Sequence, residues 1–317
     1  MKDRFGRDIT YLRVSVTDLC NLRCRYCMPE EGVPKKSHSE LLTQEELISA
    51  VEVAASLGIK KIRITGGEPL TKPNIIPICQ QIGEIPGIEH LCITTNGTFL
   101  PKYAKDLKAA GVNRINISMD TLDPEKYRYI TRVGKLDDAL NGIETALTVG
   151  FEKIKINAVL IGGFNDDEIP ELCNLTVKYP VDMRFIEFMP MPGEYGFDEK
   201  AYISGSVVLE KLPDLIPETH DGGVARLYKL PNGQGRVGLI NPISSHFCGS
   251  CNRLRLMSDG KIKPCLHTSD EYCVKGLTKD EMREEFIRAI ECKPARHPDL
   301  SASSRSQSIR NMNEIGG

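Results

Sequence analysis

The chain has 317 residues, 40% of them hydrophobic and 26% charged, with a formal net charge of −2. Such a length buries one large core, and α/β barrels often use more than about 200 residues as one domain, so one main domain with an appendage is expected. Near-neutral charge argues against general attraction to nucleic acid or to an anionic membrane, and neither an apolar leader nor a run of about 18 apolar residues occurs; the expectation is a soluble, cytoplasmic protein that acts on a small molecule.

Short β-branched or apolar runs predict strands at 11–17, 61–65, 91–95, 114–119, 153–160 and 183–189. Helical periodicity fills the gaps, most clearly at 44–57, where Thr43 and Glu46 form a capping box and Gly58 stops the helix. Six β units with helices between them imply parallel strands, because a parallel crossover needs a helix's worth of chain. A doubly wound open sheet and a partial (βα) barrel both satisfy this pattern. In either, functional residues belong at the carboxyl ends of strands. Cys20, Cys24 and Cys27 follow the first strand, Gly66-Gly67-Glu68-Pro69 the second, Thr94-Thr95-Asn96-Gly97 ends the third and Asp120 follows the fourth.

Beyond about residue 200 the alternation fades into a short helix at 207–212, strand-like pieces at 225–230 and 237–240, and a helix at 279–292. A division into 1–220 and 221–317 is expected. The Ser-, Asn- and Arg-rich stretch 301–317 reads as a frayed tail on composition, although it ends in Gly316-Gly317. Gly233 to Gly238 fits GxGxxG but leads into a strand rather than a helix, so it is a turn. A phosphate-binding P-loop is absent.

Eleven cysteines in a chain of this length point to metal or catalysis rather than disulfides. Five (Cys79, Cys92, Cys173, Cys273, Cys292) are scattered; the other six form two trios. The first, Cys20-x3-Cys24-x2-Cys27, lacks the fourth ligand of a structural zinc site. Three thiolates around a four-iron cluster leave one iron open to an exogenous ligand.

The string Cys20-Asn21-Leu22-Arg23-Cys24-Arg25-Tyr26-Cys27 resembles the signature of the radical S-adenosylmethionine superfamily, with an aromatic before the last cysteine. The resemblance implies that the open iron chelates S-adenosylmethionine, and that one electron then splits the sulfonium to a 5′-deoxyadenosyl radical. Gly66-Gly67-Glu68-Pro69 resembles the family's GGEP turn. By the same resemblance Tyr26, Gly67, Ser118 and Met189 would contact the cofactor.

The second trio is Cys248, Cys251 and Cys265, spaced CxxC-x13-C. Zinc completed by His246, His267 or Cys273 is one reading of it. Against that, Arg253 and Arg255 stand beside the thiols and would face one side of an extended segment, as a site for phosphate or carbonyl oxygens requires. The arrangement resembles the GTP 3′,8-cyclase family. Further matches are Leu12-Arg13-Val14-Ser15, Lys61-Ile62-Arg63-Ile64-Thr65, Lys153-Ile154-Lys155-Ile156-Asn157 and Arg184-Phe185-Ile186-Glu187.

That resemblance implies a partial (βα)6 TIM-type barrel whose C-terminal extension carries a second [4Fe–4S] cluster. It implies substrate contacts at Arg13, Arg63, Thr94, Lys155, Arg253 and Arg255, with Arg184 a lesser candidate, and catalytic roles for Arg13, Arg253 and Arg255. GTP would be converted to its 3′,8-cyclo-7,8-dihydro product, the first step of molybdenum cofactor biosynthesis. The implied partners are a flavodoxin- or ferredoxin-like electron donor and a downstream cyclic pyranopterin monophosphate synthase. A homodimer is compatible with it. The terminal diglycine would enter the barrel beside the substrate. Leu19 stands where most relatives are expected to carry arginine. Two other readings are a radical peptide maturase with an auxiliary cluster and a zinc-stapled binding protein.

Overall fold

The computed structural model describes residues 1–192, 197–219, 222–301 and 304–316. Six parallel strands form its centre: β1 (Tyr11–Ser15), β2 (Lys61–Thr65), β3 (His90–Thr95), β4 (Arg114–Ser118), β5 (Lys153–Leu160) and β6 (Asp182–Glu187). Helices α1 (Gln44–Ser56), α2 (Ile75–Gly83), α3 (Leu100–Ala109), α4 (Pro124–Thr131), α5 (Leu136–Val149) and α6 (Ile169–Lys178) connect them. The expected capping box opens α1, with Thr43 Oγ1 accepting from the Glu46 amide. Three strands end earlier than expected: β1 at Ser15, β4 at Ser118 and β6 at Glu187, which leaves Met189 two residues beyond its strand.

Strand order decides between the two architectures. β1 to β6 lie side by side in sequence order, whereas a doubly wound sheet reverses direction at a switch point. Successive right-handed crossovers without reversal put every helix on the same face of the sheet. That face is apolar: Leu12, Val14, Ile62, Ile64, Ile93, Ile115, Ile117, Ile154, Ile156 and Met183 belong to one buried core. Residues in between are mostly polar, with Cys92, Val159 and Ile186 the exceptions, and β5 alternates strictly between half-buried and buried positions. Parallel strands covered on both faces read as continuous apolar runs. The alternation therefore leaves the second face polar, and this is the partial-barrel arrangement with a lined interior.

The chain after β6 adds α7 (Ser206–Lys211), β7 (Ile216–Pro217), β8 (Arg226–Lys229), β9 (Val237–Ile240), β10 (Arg253–Leu256), β11 (Lys261–Lys263), β12 (Tyr272–Cys273), α8 (Lys279–Glu291) and α9 (Met312–Ile315). β9 joins β6 and β10 joins β1, both in parallel, so this region extends the sheet at both edges. The sheet stays open, with β12 and β7 outermost. Gly235 lies against the Val181 carbonyl, too close for any Cβ, so the glycine-rich stretch before β9 is a tight crossing.

The frayed tail expected from composition is corrected by the structure. Residues 304–316 are seated on the molecule: Ser306 N donates to the Pro190 carbonyl and Gln307 N to the His267 carbonyl, and α9 carries its own capping box between Asn311 and Glu314. Ile315 is buried with Met191 and Met257. Composition misleads because the anchor is ionic. Arg310 is clamped by Glu271 at 2.6 and 2.8 Å and by Asp259 at 2.7 Å.

Candidate functional site

The loop after β1 carries the first trio. Cys27 N and Met28 N both donate to the Cys24 carbonyl, at 2.9 and 3.1 Å, so one helical turn sets the spacing of Cys24 and Cys27. Cys20 Sγ accepts from Leu22 N at 3.3 Å and faces Asn96 Nδ2 at 3.9 Å. The glycine turn braces this loop: Gly67 N donates to the Thr17 carbonyl at 2.8 Å and Glu68 N to the Leu19 carbonyl at 2.9 Å. A Cβ on Gly67 would meet the Leu19 carbonyl at 2.5 Å. The close approach that needs glycine here is therefore to the cysteine loop's own backbone.

Tyr26 donates to Asp120 Oδ2 at 2.7 Å, and Asp120 Oδ1 accepts from Val159 N at 2.8 Å. Burial pushes the Asp120 carboxyl up to about 6. Glu68, held by Thr95 Oγ1 and the amides of Asn96 and Leu70, is pushed up to about 7 by burial. Burial and Glu68 drive the Cys20 thiol up to about 12; burial, the neighbouring thiols and Asp120 raise Cys24 and Cys27 as well. Three half-buried thiols facing carboxylates are held protonated unless a metal supplies the positive charge. The donor set thus fits an iron–sulfur cluster.

The polar face gathers the expected cations. Register pairs Arg255 with Arg13 and Arg13 with Arg63, on the adjacent strands β10, β1 and β2. Cys92 stands opposite Arg63 on β3; Thr94, Asn116 and Lys155 form the next row of the same face across β3, β4 and β5, and Ser118 pairs with Asn157. Arg63 Nη1 donates to Thr94 Oγ1 at 3.3 Å, and Arg63 Nε to the Tyr11 hydroxyl at 2.5 Å. Burial, with Arg255, Arg63 and Arg253 nearby, lowers Arg13 to about 9 even though Tyr11 opposes the shift; burial and Arg253 lower Arg255 to about 10. Such crowding of guanidiniums is a standing attraction for a polyanion. Arg184 stands apart from this group: it is 2% exposed and bonds Asp182 at 2.9 Å.

The tail enters this cluster. The Gly316 carbonyl accepts from Arg13 Nη2 at 3.0 Å, Arg13 Nε at 3.3 Å and Arg255 Nη1 at 2.7 Å. Asn313 donates its side-chain amide to the Asp18 carbonyl at 3.1 Å, and its backbone amide faces the Cys27 sulfur. α9 therefore spans the first cysteine loop and the arginines. Gly317 lies outside the described residues.

Cys248 and Cys251 sit on a single turn, with Cys251 N donating to the Cys248 carbonyl at 3.1 Å, and Cys265 follows β11. Arg7, fixed by Asp3 at 2.6 Å, donates to the carbonyls of Cys248, Pro294 and Ala295. His246, His297 and His267 stack edge to face, with successive ring centroids 4.9 Å apart. Burial lowers His267 to about 3, which keeps it neutral, whereas the Cys248 partner raises His297 to about 9. Cys273 is exposed and paired with Lys261, at the far end of β11 from Cys265. Among the described residues no group of three or more His, Cys, Asp and Glu side chains can hold a single metal ion.

Sequence reasoning missed Tyr11, Lys293 and Asn313. Tyr11 was legible, since period-two alternation in β1 puts it on the face of Arg13; Lys61, Arg253 and Arg63 lie 4.8, 5.5 and 6.0 Å from its ring. Lys293 and Asn313 carried no local signal.

Residues 14–176 match the Radical SAM superfamily and residues 181–299 match Molybdenum Cofactor Synthesis C. The chain is 49% identical over 321 residues to a GTP 3′,8-cyclase of Alkaliphilus oremlandii (strain OhILAs), with 100% of each covered, and 44% identical to one of Heliobacterium modesticaldum (strain ATCC 51547 / Ice1), again with 100% of each covered. Among solved structures, Streptococcus suis SuiB bound to S-adenosylmethionine is similar in fold, with a TM-score of 0.65 at 18% identity over 86% of this chain. The chain spans 65% of SuiB's length.

Proposed function

The chain belongs to the GTP 3′,8-cyclase family of the radical S-adenosylmethionine superfamily, and from that premise we infer that it converts GTP to (8S)-3′,8-cyclo-7,8-dihydroguanosine 5′-triphosphate, the first step of molybdenum cofactor biosynthesis. Membership sets aside the peptide-maturase and zinc-protein readings. The observation that carries the substrate is the unbroken register Arg255–Arg13–Arg63 on a polar sheet face flanked by cysteine trios.

Cys20, Cys24 and Cys27 would hold a [4Fe–4S] cluster with one iron free of protein. The cluster and S-adenosylmethionine would supply there a 5′-deoxyadenosyl radical able to take the C3′ hydrogen of GTP, and closure of C3′ onto guanine C8 would be completed by one electron from the reductant and one proton. Tyr26, locked by Asp120, with Gly67, Ser118 and Met189, would orient the cofactor. Arg13, Arg63, Thr94 and Lys155 would hold the nucleotide, each charge-assisted bond contributing about 1.5–3 kcal/mol. Cys248, Cys251 and Cys265 would hold a second [4Fe–4S] cluster, with Arg253 and Arg255 directing GTP toward it. The seated tail would keep water and oxidants from the reacting carbon.

The same reading includes a flavodoxin- or ferredoxin-like reductant, a downstream cyclic pyranopterin monophosphate synthase, a cytoplasmic location and an optional homodimer, with neither nucleic acid nor membrane as partner. Among the described residues no helix is long and apolar enough to cross a membrane. The test incubates anaerobically reconstituted, reduced protein with S-adenosylmethionine and GTP or ATP. 5′-Deoxyadenosine together with a cyclised product from GTP alone is expected. Cofactor cleavage with GTP left intact would refute the substrate.

A further inference from the structure

Lys293 follows α8 and is only 4% exposed. A buried ammonium loses its water and must find fixed acceptors. Its Nζ donates to the Arg253 carbonyl at 2.8 Å and to the Pro264 carbonyl at 2.7 Å. Arg253 lies two residues after Cys251, and Pro264 immediately precedes Cys265. One side chain thus ties together the two stretches from which these thiols project. Lys293 also faces the Cys251 sulfur as a donor, and its charge acts on all three thiols of the trio. Among the described residues no carboxylate pairs with it. The first trio instead faces the buried carboxylates of Glu68 and Asp120, each acting more strongly on its thiol than the arginine on the other side, Arg23 at Cys20 and Arg132 at Cys24.

We propose that Lys293 is a positioning residue for the second cluster, and that its buried charge raises that cluster's reduction potential relative to the first. This rests on the reading that Cys248, Cys251 and Cys265 hold a cluster. An added electron is stabilised by fixed positive charge and by N–H donors to sulfur, most strongly where water is excluded. It is destabilised by buried carboxylates. The chain's own charges therefore separate the two sites, and the second accepts an electron first.

The test is an anaerobic redox titration with dithionite, followed by electron paramagnetic resonance, on full-length reconstituted protein without S-adenosylmethionine or GTP. Lys293→Gln retains hydrogen-bond donors but not the charge; Lys293→Arg retains both. Lys293→Gln should shift the second cluster's reduction equilibrium about tenfold toward the oxidised form, about 59 mV for a one-electron couple. The first cluster should not move, and Lys293→Arg should titrate like the wild type. An unshifted second cluster in Lys293→Gln overturns the proposal. Should Lys293→Gln lose that cluster, Lys293→Arg decides: the wild-type potential supports the assignment, and a potential lowered to the first cluster's value overturns it. Wild-type protein with about four irons rather than about eight defeats the second-cluster reading, and the inference with it; iron analysis separates this result from an unmoved potential.

Discussion

Gly316 is in the left-handed region at φ +71°, where an alanine costs about 1–2 kcal/mol in backbone energy alone. Its Cβ would also be driven into Thr65 Oγ1, with Thr65 Cβ at 3.2 Å and Ser15 Cβ at 3.5 Å. Thr65 and Ser15 are each 1% exposed, so neither can swing into solvent. Overpacking a filled site adds about 1–3 kcal/mol. Gly316→Ala should therefore weaken docking of the last turn by about 2–5 kcal/mol, roughly 30- to several-thousand-fold in the docking equilibrium. The guanidiniums of Arg13 and Arg255 would lose their carbonyl partner, while the Arg310 anchor upstream would hold. Hydrogen exchange should rise in residues 312–316 and stay low in β1 to β6, with iron content unchanged and GTP cyclisation at least about tenfold lower. Adding Thr65→Ala removes the colliding oxygen and should restore part of both. Wild-type exchange and turnover in Gly316→Ala would refute the reasoning.

Cys24→Ala should abolish S-adenosylmethionine cleavage, whereas Cys265→Ala should spare much of it and lose cyclisation; equal loss of cleavage in both would contradict this division of labour. Arg310→Ala leaves the half-buried Glu271 and Asp259 without their guanidinium but with Lys261, Lys263 and Lys36 still near, so the cost falls below the about 3–5 kcal/mol of a fully buried pair. Proteolysis should then cut first within the tail, and first cleavage elsewhere would count against the anchor. Burial raises the Tyr11 phenol, but Arg63, Arg13, Arg253 and Lys61 outweigh it and bring it down to about 7, below its unfolded value of about 10. Because the folded value is the lower, the wild type gains stability as pH rises from about 7 toward about 10 and gains none below. Denaturant unfolding of Tyr11→Phe should lack that rise; parallel pH profiles for the two proteins would mean that the phenol stays protonated.

The sequence by itself determined the parallel βα chain, both cysteine trios, the strand arginines and the family, because each is encoded in local spacing or period-two alternation. Strand order was decided only in three dimensions: barrel and doubly wound sheets share the same local pattern and differ in which neighbour each strand selects. The same holds for the tail, whose polar composition argues for fraying until Glu271 and Asp259, about 40 and 50 residues away in sequence, close on Arg310. Long-range ionic partners leave no mark on the segments they join. Lys293 is the extreme case, for nothing around it in sequence separates a surface lysine from a buried ammonium, and only the folding of β10 and β11 toward it supplies the two carbonyls that hold it there.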